Sequence, residues 1–278
     1  MYLTKREIES IVKKIGLPNA SILLHKIFNS YRNYLDSSDV RELYNHDYLE
    51  GIRMTPVYEL VNNRYKIHIY NRYSFQHLVT KVERGSVLDI GCGDGQFLLA
   101  LAFHGFKCTG IDSSKDLITE AQLNAARDKL KVDFFCEDIC DLSFKSPFDY
   151  IVLNDVIEHL SDRELQKLFN KVAELLNPCG EIIIHTPNGL ALCNETDWSV
   201  LQLIYKTYLR LSKRFDPCER TIHQIFYDQV HINIKSYQQL RKFLSRIGFR
   251  SKVVYDDYKA SIFRSVLSTN MLIIARVK

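Results

Sequence analysis

An α/β fold built on a doubly wound, mostly parallel sheet is what this 278-residue sequence predicts, and three observations predict it. From residue 86 onward, short β-branched or apolar runs alternate with helix-length segments, the pattern that places helices on both faces of a parallel sheet. The first run, VLDI at 87–90, leads directly into the glycine-rich turn GCGDG at 91–95, as a strand does when it hands over to a helix beside a ligand. Past residue 236 a capped helix and two strand-like runs, FRSKVVY and NMLIIARV, bring the expected count to seven strands.

The elements follow in chain order. Residues 1–82 read as helical. Thr4 and Glu7 have capping-box spacing, Ile8, Ile11, Val12 and Ile15 fall on one helical face, and Gly16 with Pro18 supplies a stop. A second apolar stripe runs through Leu23, Leu24, Ile27, Phe28, Tyr31, Tyr34 and Leu35, and a weaker third through Val40, Leu43 and Tyr44. Residues 1–70 are therefore expected as an N-terminal helical cap on a main domain spanning 71–278. Within that domain the texture predicts strands near 86–90, 107–111, 132–136, 148–153 and 181–186, with helices near 95–104, 114–129 and 161–176. Ser161 with Glu164 caps the last of these helices, and NPCG at 177–180 is expected as the turn that ends it. Ser236 with Gln239 caps a further helix that stops at Gly248.

Residues 189–235 break this alternation. They carry the only tryptophan, Trp198, and an amphipathic helix at 199–215. Leu201, Ile204, Tyr205, Tyr208, Leu211 and Phe215 share one face of it, and Lys206, Arg210, Lys213 and Arg214 share another. We expect a helical lid insertion that shapes substrate specificity, with a basic face open to weak membrane or lipid contact.

Composition narrows the class. The formal net charge is +4, with Lys and Arg scattered among Asp and Glu, so nucleic acid is not an expected partner. Seven cysteines form no CxxC pair and no zinc-type quartet with histidine, and read as reduced packing residues. The N-terminus is charged from its fifth residue, and nowhere do 18 apolar residues run together. A soluble, cytoplasmic chain is expected, of unspecified oligomeric state.

The glycine turn separates two ligand classes. A dinucleotide-binding GxGxxG would place its third glycine where this chain has Gln96, and usually has an apolar residue at the position of Asp89. A carboxylate there suits a ligand with a positive charge, such as the α-ammonium of a methionyl group, and repels a pyrophosphate.

VLDIGCGDG at 87–95, GIDSS at 110–114, CEDI at 136–139, FDYIVLNDVIEHL at 148–160 and LLNPCGEIIIHTPN at 175–188 together resemble the successive motifs of class I S-adenosylmethionine-dependent methyltransferases. The fourth motif is most similar to the branch containing the ubiquinone-biosynthesis O-methyltransferases and related small-molecule enzymes. The resemblance covers roughly residues 72–278 and implies a Rossmann-like sheet with S-adenosylmethionine as cofactor. It implies that Gly91, Cys92, Gly93 and Gly95 approach the cofactor beside Asp89. Asp112, with Ser113 next to it, would accept hydrogen bonds from the ribose hydroxyls, because paired acceptors match a vicinal diol. Asp138 would accept from the adenine amino group, with Ile139 against the ring. Asn154 and Asp155 would line the methionyl end or the transfer point, and Arg72 and Tyr73 would cover the cofactor from the preceding helix.

Methyl transfer needs a nucleophile aligned with the S–CH3 bond, and a base if that nucleophile is a hydroxyl. His159, which matches the EH of the resembling branch, is the first candidate, with His231 second. His185, on an apolar strand, reads as a packed histidine. No metal site is expected, since no pair of His or acids in the motif region has helix-face ligand spacing. The expected function is O-methylation of a small-molecule acceptor. N- or C-methylation, a nicotinamide-dependent oxidoreductase and a catalytically silent partner subunit are the alternatives.

Overall fold

The structure, a computed structural model, describes residues 5–16, 20, 23–24, 58–61, 64–68, 71–81, 84–138, 141, 144, 146–189, 231–255 and 270–278. The expected lid helix at 199–215, the second and third N-terminal stripes beyond Leu24, Thr4 and Ile139 lie outside these residues.

The chain begins with helix α1 (Lys5–Ile15), whose apolar face buries Ile8 completely. Strands β1 (Tyr58–Val61) and β2 (Tyr65–His68) then pair antiparallel, which corrects the reading of residues 1–82 as all helical. YELV and YKIH are rich in strand-forming residues and flank an Asn-Asn pair, a hairpin signal that the helical stripes before it obscured. Tyr65 and Ile67 are buried against the main domain, in one cluster with Phe97 and Leu101.

Helix α2 (Arg72–Val79) precedes the sheet. The strands β3 (Ser86–Ile90), β4 (Lys107–Asp112), β5 (Val132–Cys136), β6 (Phe148–Asn154), β7 (Leu176–Pro187), β8 (Phe249–Tyr255) and β9 (Asn270–Val277) form a seven-stranded sheet in the order β5-β4-β3-β6-β7-β9-β8. β3 to β7 run parallel, and β9 is antiparallel to both β7 and β8. Helices α3 (Gln96–Phe103), α4 (Lys115–Asp128), α5 (Asp162–Leu175) and α6 (Tyr237–Arg246) connect them. The expected seven-stranded, mostly parallel sheet and the helices expected near 95–104, 114–129, 161–176 and after Ser236 are those observed. β7 departs from expectation by starting at Leu176, so NPCG lies within the strand, where pairing with β6 shifts register between Phe148 and Tyr150.

Alternation along the central strands sends side chains to two cores. Ile151, Leu153, Ile182 and Ile184 pack with Leu165, Leu168, Phe169 and Val172 of α5 on one face. Val152 and Ile183, one residue out of phase, meet Phe75, Leu98 and Ile118 on the other. Each such fully buried aliphatic contributes about 1.5–3 kcal/mol, and near-continuous apolar strands are what a two-sided parallel sheet requires. The α5 cap forms as the spacing predicts: Ser161 accepts from the Glu164 N–H at 3.4 Å, and the Glu164 carboxylate accepts from the Ser161 N–H at 2.8 Å. Ser236 and Gln239 repeat that pattern at α6.

One buried acid ties α2 to the sheet. Glu181, 3% exposed on β7, bonds to His77 at 2.8 Å, pairs with Lys81 at 2.9 Å and accepts from Arg276 Nε at 3.0 Å. These contacts hold its carboxyl well below the ordinary range, the His77 bond first and then those from Arg276 and Lys81, against the opposing effect of burial. A depressed carboxylate contributes stability that is present above its unfolded value of 4.5 and lost as pH falls below it. Glu181→Gln is expected to cost about 2–3 kcal/mol at neutral pH. Calorimetric melts between about pH 6 and pH 3 should show the gap from the parent protein closing with acid; a constant gap would count against the ion-pair account.

Candidate functional site

The site grows from the C-terminal ends of β3, β4 and β6, where the chain reverses its direction of travel across the sheet. Ligands of open α/β sheets bind at such switch points. Asp89 is the last polar residue of β3, and its side chain is 3% exposed with Oδ1 lacking any hydrogen-bond partner. Burial, and secondarily the charge of Asp112, push its carboxyl well above the ordinary carboxylate range. A carboxylate kept dry and unpartnered is costly unless a donor reaches it.

The loop beyond it is folded back onto β4. Gly91 and Cys92 donate to the Ile111 carbonyl at 2.7 and 3.0 Å, and Gly93 donates to Asp112 Oδ2 at 3.0 Å. Two of the glycines are sterically required. Gly91 has φ +77, and a Cβ on it would stand 2.6 Å from Val156 Cγ2. Gly95, also at φ +77, would place its Cβ 2.8 Å from the Phe134 ring and 2.9 Å from Ala121. Its successor Gln96 opens α3, so the loop presents backbone N–H groups and a helix N-terminus at the mouth. Burial holds the thiols of Cys92 and Cys108 protonated, in keeping with packing roles.

Asp112 ends β4 with its second oxygen, Oδ1, accepting from the Ser114 N–H at 2.8 Å. Ser114, not Asp112, is the N-cap of α4, through its hydroxyl and the Leu117 N–H. Ser113 lies beside it and is exposed; Asp138, two residues past β5, is exposed on the same rim.

β6 ends at Asn154, whose Oδ1 accepts from the buried Ser74 hydroxyl of α2 at 2.8 Å while its Nδ2 is buried without a partner. Arg72, two residues before Ser74, stands at the start of that helix with its guanidinium 5.0 Å above the Tyr73 ring. Asp155 follows in a left-handed conformation, φ +54, which costs a non-glycine residue about 1–2 kcal/mol. Two bonds hold it there: its N–H donates to the His185 carbonyl at 3.0 Å, and its Oδ1 lies 2.7 Å from His185 Nδ1. His185 is completely buried, but its ring is bonded to Asp155 and is not merely packed.

Ile157–His159 form one 3-10 turn at the rim. Glu158 is fully buried, with Oε2 accepting from the Thr186 hydroxyl at 3.0 Å and Oε1 without a hydrogen-bond partner. Burial, with the charge of Asp155 second, raises its carboxyl to about 8. His159 Nε2 stands 4.0 Å from that oxygen, and the rings of His159 and His231 are 4.9 Å apart between centroids. His231 is fixed by its neighbours: Asn233 donates its N–H to the Glu158 carbonyl at 2.9 Å and its side-chain amide to the Leu160 carbonyl at 2.8 Å, while Lys235 pairs with Asp162 at 2.7 Å. Glu158, His159 and His231 each offer one ligand atom, and these atoms lie within 4.8 Å of one another.

Residues 87–180 match the family described as a methyltransferase domain. The ubiquinone biosynthesis O-methyltransferase of Coxiella burnetii (strain RSA 493 / Nine Mile phase I) is 34% identical over 127 residues, 44% of this chain and 53% of that one. Its namesake in Rickettsia prowazekii is 27% identical over 129 residues, 44% of this chain and 50% of that one. The chain thus spans about half the length of the curated relatives it matches. Among solved structures, magnesium protoporphyrin IX methyltransferase from Synechocystis PCC 6803 aligns with a TM-score of 0.58 at 17% identity, over 87% of this chain and all (100%) of that one. The PH0226 protein of Pyrococcus horikoshii OT3 aligns with a TM-score of 0.55 at 22% identity, over 82% and 99%.

Residues 87–180 thus match a methyltransferase domain, and the chain has the fold of solved methyltransferases.

Within that domain, Asp89, Gly91, Cys92, Gly93, Gly95, Asp112, Ser113, Asp138 and Asn154 all stand around the ends of the central strands, with Arg72 approaching from α2. His159 and His231, distant in sequence, meet at the adjoining rim. The EH pair had already placed Glu158 beside His159; what sequence spacing did not reveal is the cluster's metal-ligand geometry with His231. Ligand spacing along one helix is the wrong template for it, because one imidazole arrives from beyond residue 230.

Proposed function

We propose that the methyltransferase domain binds S-adenosylmethionine and transfers its methyl group to a small-molecule acceptor, at a hydroxyl oxygen. The observation that carries this reading is the pair of buried, unpartnered polar atoms of opposite sense, Asp89 Oδ1 and Asn154 Nδ2. An α-amino acid carries its cation and its anion on the same carbon, and such a pair suits its ammonium and carboxylate respectively. Asp112 then receives the ribose hydroxyls and Asp138 the adenine amino group. Arg72 covers the cofactor from α2. The names of the relatives and of the Synechocystis structural neighbour support the same reaction class.

The sulfonium makes methyl a strong electrophile, so the protein's work is alignment and exclusion of water. The acceptor oxygen forms its bond to carbon as the S–CH3 bond breaks, the electron pair staying on sulfur to leave a neutral thioether. A hydroxyl must also lose its proton, and the Glu158–His159–His231 group, at the rim beside the glycine loop's contact with Val156, is where we assign that loss, with His159 foremost. The segment between the described residues 189 and 231 is the proposed source of acceptor specificity. Among the described residues no helix is long and apolar enough to cross a membrane.

Thermal-shift titration tests the cofactor. S-adenosylmethionine and S-adenosylhomocysteine are each expected to raise the melting temperature, and NAD to leave it unchanged, because the acid behind the loop repels a pyrophosphate. Stabilisation by NAD alone would overturn the reading. Labelled methyl passed from S-adenosylmethionine into cell extract, followed by mass analysis of the product, then identifies the acceptor and the atom methylated.

A further inference from the structure

We propose that Glu158, His159 and His231 form a binding site for one divalent transition-metal ion, which would hold the acceptor's oxygen beside the cofactor's methyl group. The binding half of this proposal stands on the cluster alone; the role half rests on the methyl-transfer reading above.

Three observations lead to it. The ligand atoms of the three residues lie within 4.8 Å of one another. Around an ion with bonds of about 2.0–2.2 Å, neighbouring ligand atoms stand about 3–3.5 Å apart, so side-chain shifts of about an ångström close the set. Second, Glu158 is wholly buried, yet its Oε1 has no hydrogen-bond donor, and His159 Nε2 stands 4.0 Å away, beyond hydrogen-bonding reach. A dry carboxylate oxygen with nothing to bond is expensive, and a cation between it and the two imidazoles would supply what is missing. Third, the surroundings already orient the ligands. Thr186 pins the other Glu158 oxygen at 3.0 Å, and the Asn233 bonds to residues 158 and 160 lace the His231 segment onto the 3-10 turn. Ligand-orienting contacts of this kind accompany metal sites.

The donor set decides the kind of ion. Two imidazoles and one carboxylate suit zinc, cobalt, manganese or iron, whereas magnesium favours carboxylates and water. Three protein ligands leave positions open for an acceptor oxygen. A hydroxyl held there becomes more acidic, releases its proton to solvent and attacks as an oxyanion. The imidazoles then act by holding the ion, which is the manner in which this rim promotes loss of the acceptor's proton. The expectation that the chain has no metal site rested on spacing along the sequence and does not apply to ligands joined across the fold.

The full chain, stripped with a chelator, is titrated with Co2+, Zn2+ and Mg2+ by calorimetry, and the visible absorption of bound Co2+ is recorded. One Co2+ or Zn2+ per chain is expected, at least tenfold tighter than Mg2+, without the near-ultraviolet charge-transfer band that thiolate ligation produces. Glu158→Gln and His231→Gln should each weaken Co2+ at least tenfold while S-adenosylhomocysteine still binds, which shows that the variants fold. Absence of Co2+ and Zn2+ binding in a chain that binds S-adenosylhomocysteine overturns the proposal. So does a thiolate band, equal affinity for Mg2+, or unchanged Co2+ affinity in both variants. If Co2+ binds as expected but S-adenosylhomocysteine binds neither parent nor variants, the ion site stands and the methyl-transfer reading fails.

Discussion

Asp89→Asn is expected to weaken S-adenosylhomocysteine binding by about 10- to 100-fold, the 1.5–3 kcal/mol of a hydrogen bond to a charged group, while making the ligand-free protein more stable. The two effects have one origin. Asp89 is buried at the end of β3, its Oδ1 has no partner, and burial followed by the charge of Asp112 raises its carboxyl well above the usual range. For an acid raised on folding, stability is fully present below the unfolded value of 3.8 and is lost as pH climbs from there toward the folded value. The ligand-free protein therefore holds a strained group at neutral pH, and an ammonium arriving beside it relieves the strain. An amide in its place removes the charge to be buried, worth roughly 1–3 kcal/mol and a melting temperature higher by a few degrees, but no longer answers the ammonium. Calorimetric titration and thermal melts from about pH 4 to pH 8 check both signs. Unchanged affinity would show that Asp89 does not read the methionyl end. A lower melting temperature would show that its burial is no burden.

That the cradle could be read from sequence and the acceptor rim only in part has a physical cause. The glycine loop, Asp89 and Asp112 belong to consecutive strand–turn–helix units, so local chemistry declares them: a glycine wherever Val156 or Phe134 would collide with a Cβ, an acid wherever a strand ends at the mouth. The strands of the parallel core were legible for the same reason, because a sheet covered on both faces must be apolar along its length, as Ile182, Ile183 and Ile184 are. The β1–β2 hairpin was not, since its two strands are four residues each and follow a long stretch of helical periodicity. The start of β7 was hidden by NPCG, which reads as a turn yet lies in the strand, where Leu176 pairs with Phe148 before the register shifts.

The rim failed to declare itself because it is tertiary. EH at 158–159 marked one end of it, and His231 another, but their meeting depends on Asn233 bonding to the backbone of residues 158 and 160. His185 gave no sign of its bond to Asp155 either: on an apolar strand a histidine looks packed, and only the left-handed turn at Asp155 brings a carboxylate to within 2.7 Å of it.

Replacing His159 with Asn is expected to lower methyl transfer by about 10²-fold or more with S-adenosylhomocysteine affinity unchanged, measured as labelled methyl passed into the acceptor fraction of cell extract. The His159 backbone bonds within the 3-10 turn at Val156, and its ring faces His231 and the unpartnered oxygen of Glu158. Its loss should leave the glycine loop, Asp89 and Asp112 as they are. The corresponding His231 variant should lose a comparable amount. Because the two rings serve one acceptor proton, through one group of ligand atoms within 4.8 Å, the double variant should be scarcely worse than either single one, as happens when residues act as a unit. Losses that multiply to about 10⁴-fold would instead assign the two histidines separate tasks. Near-normal transfer in both single variants would mean that the acceptor's nucleophile needs no help in shedding a proton, the behaviour of an amine nitrogen, and the assignment of a hydroxyl acceptor would be lost with it.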